Sequence, residues 1–251
     1  MGLRGWLGRR FAAPPAQVTV EAGPGQGLIL GNAFSSADYT DGSNELPVQE
    51  AVRDSVSPGE VFYDVGANVG FFGLIAARVV GDAGVVYAFE PIPHIAAQAR
   101  ANAESNNLTN LEVLEVAVSD RDDSAPLIVT THPGGATLSG ADAGDDALHE
   151  VEVRTVRLDT LVEAGTIRPP NAVKIDVEGV EVEVLEGLRT TLARYRPRVI
   201  CELDAATRER LAEKIEGTNA VFRDLGYATR ELPPSYEGSG WQVVHLLATP
   251  G

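Results

Sequence analysis

The sequence is short of cysteine, basic residues and long apolar runs, and each shortage excludes a class of protein. Cys201 is the one cysteine among 251 residues, so an intrachain disulfide is excluded and a reducing, cytoplasmic location is expected. The 20 lysines and arginines are outnumbered by 36 acidic residues, which gives a net charge of −16. Because such an acidic surface repels phosphate backbones, we do not expect a nucleic acid as partner.

Apolar residues are plentiful but interrupted. They make up 44% of the chain, yet no run approaches the roughly 20 residues that cross a bilayer. We therefore expect no stable membrane insertion. A chain of this size and composition is instead long enough to bury one well-packed core.

Strand-like runs and helix-like spacings alternate along most of the chain, which predicts an α/β fold. The run at 111–118 predicts one strand, and the spacing at 181–195 predicts one helix. Connections of this length give a mostly parallel sheet with helices on both faces. The alternation breaks within 119–156, where APLIVTT and HEVEVRTVRL have the period-two pattern of an antiparallel pair. We therefore expect an N-terminal extension and candidate lid (1–50), and a main domain (51–251) with a substrate-side insertion (119–156).

The stretch YDVGANVGFF follows the first central strand and opens a helix. In open α/β sheets, ligands bind outside the carboxyl ends of the strands. Gly66 and Gly70 let the backbone come close to a ligand, where a Cβ would collide. Asp64 adds a carboxylate, which disfavours a pyrophosphate and suits a ligand with a cationic end.

Glu90 ends the next strand, in VVYAFEP. An acidic residue about 20 positions after a glycine turn accepts the hydroxyls of a ribose. A dinucleotide fingerprint needs a second glycine where this turn has Asn68. Together with Asp64, this difference favours S-adenosylmethionine, which has a ribose and a sulfonium but no phosphate, over a nicotinamide dinucleotide.

The sequence resembles the FkbM family of class I S-adenosylmethionine-dependent methyltransferases. The resemblance rests on FYDVGANVGFFGLIAA, VVYAFEPIP, NNLTNLEVLEVAVSD, VEVRTVRLDTL, VKIDVEGVEVEVLEGL and RPRVICELD, in this order. It implies a Rossmann-like sheet of seven strands whose last strand is antiparallel. It also implies O-methylation of a hydroxyl, often on a sugar or a polyketide.

Several residues match the family's cofactor site. The resemblance puts Asp64, Gly66, Asn68 and Gly70 around the methionine portion and Glu90 on the ribose, with 115–118 beside the adenine. The expected cofactor-binding set is therefore Asp64, Gly66, Asn68, Gly70, Glu90, Pro91, Glu115, Ala117 and Asp176.

Asp176 and Glu178 follow the fourth central strand, in KIDVEGVEVE, and are the candidate catalytic carboxylates. A hydroxyl is a weak nucleophile until its proton is accepted, so a carboxylate near the methyl group is useful. His132, in the small-residue loop of the insertion, is a third candidate, and His245 is expected to be structural. Asp176, Glu202 and Asp204 all end strands and could hold Mg²⁺ or Ca²⁺, but the family resemblance requires no metal, and we predict none.

Three alternatives remain open from the sequence. One is a nicotinamide-dependent oxidoreductase, which shares the sheet and Glu90. Another is N-methyl transfer on the same fold, and the third is a protein that keeps the cofactor site without catalysis. The expected partner is a small hydroxylated molecule, and a homo-oligomer is left open.

Overall fold

We describe the fold from a computed structural model, in which the described residues are 17–31, 37–130, 136–138, 147–236 and 242–251. His132 lies outside these ranges. The described strands are β1 (Gln17–Thr19), β2 (Ile29–Gly31), β3 (Val61–Val65), β4 (Val85–Phe89), β5 (Leu111–Leu114), β6 (Ala117–Val118), β7 (Asp123–Thr130), β8 (Ala136–Leu138), β9 (Ala147–Val156), β10 (Ala172–Ile175), β11 (Arg198–Ala205), β12 (Tyr227–Glu231) and β13 (Gln242–Pro250). The described helices are α1 (Ala37–Asp41), α2 (Leu46–Ser55), α3 (Phe71–Val80), α4 (Pro93–Ser105), α5 (Leu158–Glu163), α6 (Glu181–Gly187), α7 (Arg189–Tyr195) and α8 (Arg208–Asp224).

Seven of the described strands form the central sheet, in the order β12-β13-β11-β10-β3-β4-β5. β3, β4, β5, β10 and β11 pair in parallel, whereas β13 is antiparallel to both β11 and β12. The predicted seven-stranded, mostly parallel sheet with an antiparallel last strand is confirmed. The carboxyl ends of β3, β4, β10 and β11 therefore meet at one edge, where the candidate site residues lie.

Alternate residues of β3 enter two different cores, one on each face of the sheet. Tyr63 packs in one cluster with Leu185 of α6, and Phe62 packs in the other with Leu74 of α3. Both faces of a parallel sheet are buried in this way, which is why VFYDV is apolar along nearly its whole length. Helices on both faces are thus confirmed. In the N-terminal segment, Leu28 is also buried in the α3 cluster.

The predicted antiparallel pair within 119–156 is present as β7 and β9. These strands belong to a second sheet, in the order β6-β9-β7-β8.

Two of the predicted elements differ from the structure. The strand predicted at 111–118 ends at Leu114, because Ala117 and Val118 leave the central sheet and pair with β9.

The second difference is that the helix predicted at 181–195 is two helices, α6 and α7, separated at Leu188. The second helix, α7, starts where Asp159 of α5 meets its first turn. The two carboxylate oxygens of Asp159 accept hydrogen bonds from the backbone N–H groups of Thr190 and Thr191, at 2.9 and 2.8 Å. This carboxylate therefore caps α7 from a distant part of the chain. Among the described helices, none combines the length and apolarity required to cross a membrane.

Candidate active site

The turn after β3 has an unusual backbone. Gly66, Asn68 and Gly70 have φ angles of 76°, 49° and 84°, in the left-handed region that favours glycine and tolerates asparagine. At Gly66 the reason for glycine is a close approach within the protein. A Cβ at this position would lie 1.7 Å from the carbonyl oxygen of Asp176, so the loop after β10 can pack against the turn only if residue 66 has no side chain.

Asp64 lies beneath this turn and is fully buried. Its Oδ2 accepts a hydrogen bond from the backbone N–H of Gly73 at 2.8 Å. Gly73 is in the first turn of α3, whose N-cap is a glycine without a capping side chain, so Asp64 takes over that role. Burial raises the pKa of Asp64 to about 6, although Lys174 acts in the opposite direction. Oδ1 has no hydrogen-bond partner among the described residues.

Glu90 joins the turns after β3 and β4. Its Oε2 accepts from the backbone N–H of Asn68 at 3.0 Å, and its Oε1 accepts from the N–H of Ile92 at 2.8 Å. Burial raises the pKa of this carboxyl group to about 7, while the two hydrogen bonds lower it. Each oxygen of a carboxylate has room for a second hydrogen bond, so Glu90 can still accept a hydroxyl.

Asp176 follows β10 and forms an ion pair with a buried lysine. The Nζ of Lys174 donates to Asp176 Oδ2 at 2.8 Å and lies 4.5 Å from the centre of the Phe72 ring. Burial lowers the pKa of Lys174, but the carboxylates of Asp176 and Asp64 outweigh it, so the pKa is raised and the ammonium stays charged. Phe72 itself is buried in the core.

Most of the predicted site residues face one recess at this edge of the sheet. The recess is partly open, and the space inside it, including open solvent, is about 630 Å³. Leu127 of the insertion contributes to its wall. The predicted residues that line it are Gly66, Asn68, Glu90, Pro91, Ala117, Asp176 and Glu178.

The other predicted residues are placed differently. Asp64 lies under the turn, and Gly70 has its α-carbon facing Ala99 of α4. Glu115 is exposed and pairs with Arg100 at 2.5 Å. His132 cannot be placed, because it is outside the described residues.

A second group of ionisable side chains lies beside Asp176. His245 of β13 contacts Glu202 of β11 at 2.6 Å and Glu45, directly before α2, at 3.2 Å. Burial lowers the pKa of His245, but the two carboxylates have the larger effect and raise this pKa to about 9. Burial and the charge of Asp176 raise the pKa of Glu202 to about 7. No local pattern in the sequence predicts this group, because its members come from distant parts of the chain.

Comparison with known proteins yields one family and several relatives. A profile of the Methyltransferase FkbM domain matches residues 64–228. The 31-O-demethyl-FK506 methyltransferase FkbM of Streptomyces tacrolimicus is 32% identical over 196 residues, which cover 64% of this chain and 75% of that protein. The hexuronic acid methyltransferase AglP of Haloferax volcanii is 29% identical over 153 residues, which cover 59% of this chain and 55% of that protein.

The fold has solved counterparts as well. An O-methyltransferase from Bacillus cereus, solved in complex with SAH, superposes with a TM-score of 0.52 at 16% identity. The match covers 86% of this chain and 84% of that one. At this level of identity the likeness concerns the fold alone.

Proposed function

Since the chain is an S-adenosylmethionine-dependent methyltransferase of the FkbM family, we propose that it methylates a hydroxyl group of a small molecule, a sugar or a polyketide. The family membership sets aside the oxidoreductase alternative. The observation that carries the proposal is that the glycine turn, Glu90 and Asp176 line one recess. The names of the two relatives, a hexuronic acid methyltransferase and a 31-O-demethyl-FK506 methyltransferase, support this substrate class.

The residues of the recess fit the cofactor. Glu90 would hold the ribose, because its carboxylate is fixed by two backbone N–H groups and retains acceptor capacity toward the recess. The turn at Gly66 and Asn68 would face the methionine portion, and Ala117 would border the adenine. When bound, S-adenosylmethionine supplies a methyl group on a positively charged sulfur. We assign Asp64 a positioning role, because it holds the start of α3 from below.

Asp176 and Glu178 are the proposed proton acceptors for the substrate hydroxyl. Both line the recess, and the hydrogen bond from Lys174 fixes the orientation of the Asp176 carboxylate. Alignment of reacting groups accounts for effective molarities of about 10⁵–10⁸ M, whereas a general base adds about 10²–10⁴-fold. Alignment should therefore dominate, and loss of one carboxylate should slow the reaction without abolishing it. His132 stays a prediction for the same role.

The test is transfer of a labelled methyl group from S-adenosylmethionine to a panel of hexoses, uronic acids and macrolides. We expect the label on oxygen in a sugar or macrolide, as located by NMR of the product. Asp176→Asn and Glu178→Gln should lower kcat by up to about 10²–10⁴-fold. Glu178→Gln should leave the affinity for S-adenosylhomocysteine unchanged, because of the two residues only Asp176 is also in the expected cofactor-binding set. Glu213→Gln, an exposed acid on α8, is the control and should retain full activity.

Two results would contradict the proposal. Label on nitrogen would favour N-methyl transfer. Unchanged kcat in both site variants and in the double variant would exclude these carboxylates as proton acceptors.

A further inference from the structure

Three side chains from distant parts of the chain, two of them buried and one partly buried, converge on one point. Glu45, Glu202 and His245 each offer one ligand atom, and these atoms lie within 4.8 Å of one another. Their side chains are 9%, 16% and 2% exposed, respectively. Such a convergence needs a cause, because burying two carboxylates side by side costs free energy unless a cation compensates them.

A histidine alone does not satisfy this geometry. Both Glu45 Oε2, at 3.2 Å, and Glu202 Oε2, at 2.6 Å, approach the same atom, His245 Nε2. One ring nitrogen carries at most one hydrogen, which Glu202 can accept. Glu45 Oε2 is then left buried without a hydrogen-bond partner among the described residues. A metal ion can bind all three atoms at once, whereas the geometry of a hydrogen bond from the ring nitrogen is met with Glu202 and not with Glu45 Oε2.

The far atoms of two of these side chains have partners of their own. The hydroxyl of Tyr236 donates to Glu45 Oε1 at 2.6 Å, and Ser235 Oγ lies 3.5 Å from His245 Nδ1. Groups that bind the far atoms of ligands are typical of metal sites, where they orient the ligands. The three converging atoms are thus the ones that remain directed toward a shared point.

The local charge also favours a cation. The carboxylates of Asp64, Asp176, Glu45 and Glu202 all lie near the Lys174 ammonium. Lys174 donates a hydrogen bond to Asp176, whereas the basic group within 4 Å of both Glu45 and Glu202 is the imidazole of His245. A divalent ion would neutralise these two carboxylates.

We propose that Glu45, Glu202 and His245 bind one divalent ion of the Mn²⁺, Co²⁺ and Zn²⁺ class. Two carboxylate oxygens and one imidazole nitrogen suit these ions, whereas Mg²⁺ and Ca²⁺ prefer oxygen ligands alone. This site is not the set of Asp176, Glu202 and Asp204 that the sequence suggested as metal ligands. The two sets have only Glu202 in common. Because Ile175 pairs with Cys201 in register, Asp176 and Glu202 are neighbours, so the ion lies beside the recess.

The test is ion binding by the untagged, EDTA-treated full chain, measured by calorimetry with Zn²⁺ and by the visible absorption of Co²⁺. We expect one ion per chain. Glu45→Gln, Glu202→Gln and His245→Gln should each weaken binding by more than about 100-fold, and Tyr236→Phe by about 10–100-fold, since loss of an outer-sphere partner has that effect. His149→Gln, at an exposed histidine of β9, is the matched control and should bind as the parent chain does.

Circular dichroism shows which variants are folded. If a ligand variant does not fold, Tyr236→Phe still tests the site, because it keeps all three ligands and removes only the hydroxyl that contacts Glu45. The proposal is overturned if the parent chain binds no stoichiometric Zn²⁺ or Co²⁺, or if His149→Gln loses binding as the ligand variants do. It is also overturned if ¹⁵N shifts show His245 as an imidazolium that added metal leaves unchanged. These measurements do not use methyl transfer, so their failure is distinct from failure of the proposed function.

Discussion

Replacement of Gly66 by alanine tests how the turn and the loop after β10 fit together. An L-residue at the φ of Gly66, +76°, costs about 1–2 kcal/mol. The new Cβ would also lie 1.7 Å from the Asp176 carbonyl oxygen, far inside the 3.0 Å that real Cβ atoms respect. Forcing extra volume into a packed site costs about 1–3 kcal/mol. The expected total is a loss of about 2–5 kcal/mol in the free energy of unfolding.

The matched control is Gly165→Ala. Gly165 has a similar φ of +69°, but a Cβ there meets nothing within 4 Å, so only the backbone cost of about 1–2 kcal/mol remains. At this chain length 1 kcal/mol corresponds to about 2–4 °C in Tm. Thermal unfolding should therefore show Gly66→Ala about 2–12 °C below the control. Equal Tm values for the two variants would refute the argument that contact with Asp176 requires a glycine.

Two further predictions concern Glu90. Glu90→Gln should weaken binding of S-adenosylhomocysteine by about 10–100-fold, because a hydrogen bond to a charged group contributes about 1.5–3 kcal/mol; unchanged affinity in calorimetry would argue against contact with the ribose. The same variant has a consequence for stability without cofactor. The pKa of Glu90 is raised from 4.5 to about 7 in the folded chain, so the folded state binds more protons than the unfolded state between these values and loses stability as the pH rises. The unfolding free energy of the parent chain minus that of Glu90→Gln should therefore fall by at most a few kcal/mol from pH 5 to pH 8. Urea unfolding of both chains measures this difference. If it rises or stays constant over this range, the assigned pKa shift is wrong.

The sequence predicted the sheet and most of the recess because both depend on local patterns. Buried parallel strands are continuous apolar runs, and a glycine turn at the end of one marks a ligand edge. The break at Leu188 had no such pattern. It depends on Asp159, which accepts a hydrogen bond from the N–H of Thr190, 31 residues later in the chain. Glu202 and His245 are likewise 43 residues apart, so their contact follows from strand pairing and not from spacing.

Asp64 shows why a motif identifies a site more reliably than it identifies contacts. Its position in YDVGANVG predicted a carboxylate facing a cationic cofactor. In the folded chain it lies on the side of β3 that faces α3, where its Oδ2 accepts from Gly73 and its side chain is fully buried. Strand residues alternate between the two faces of a sheet, so a residue two positions before the turn faces a helix while the turn itself faces the recess. The carboxylate then acts on the site by fixing the first turn of α3, and Glu90, Asp176 and Glu178 are the acidic side chains that line the recess.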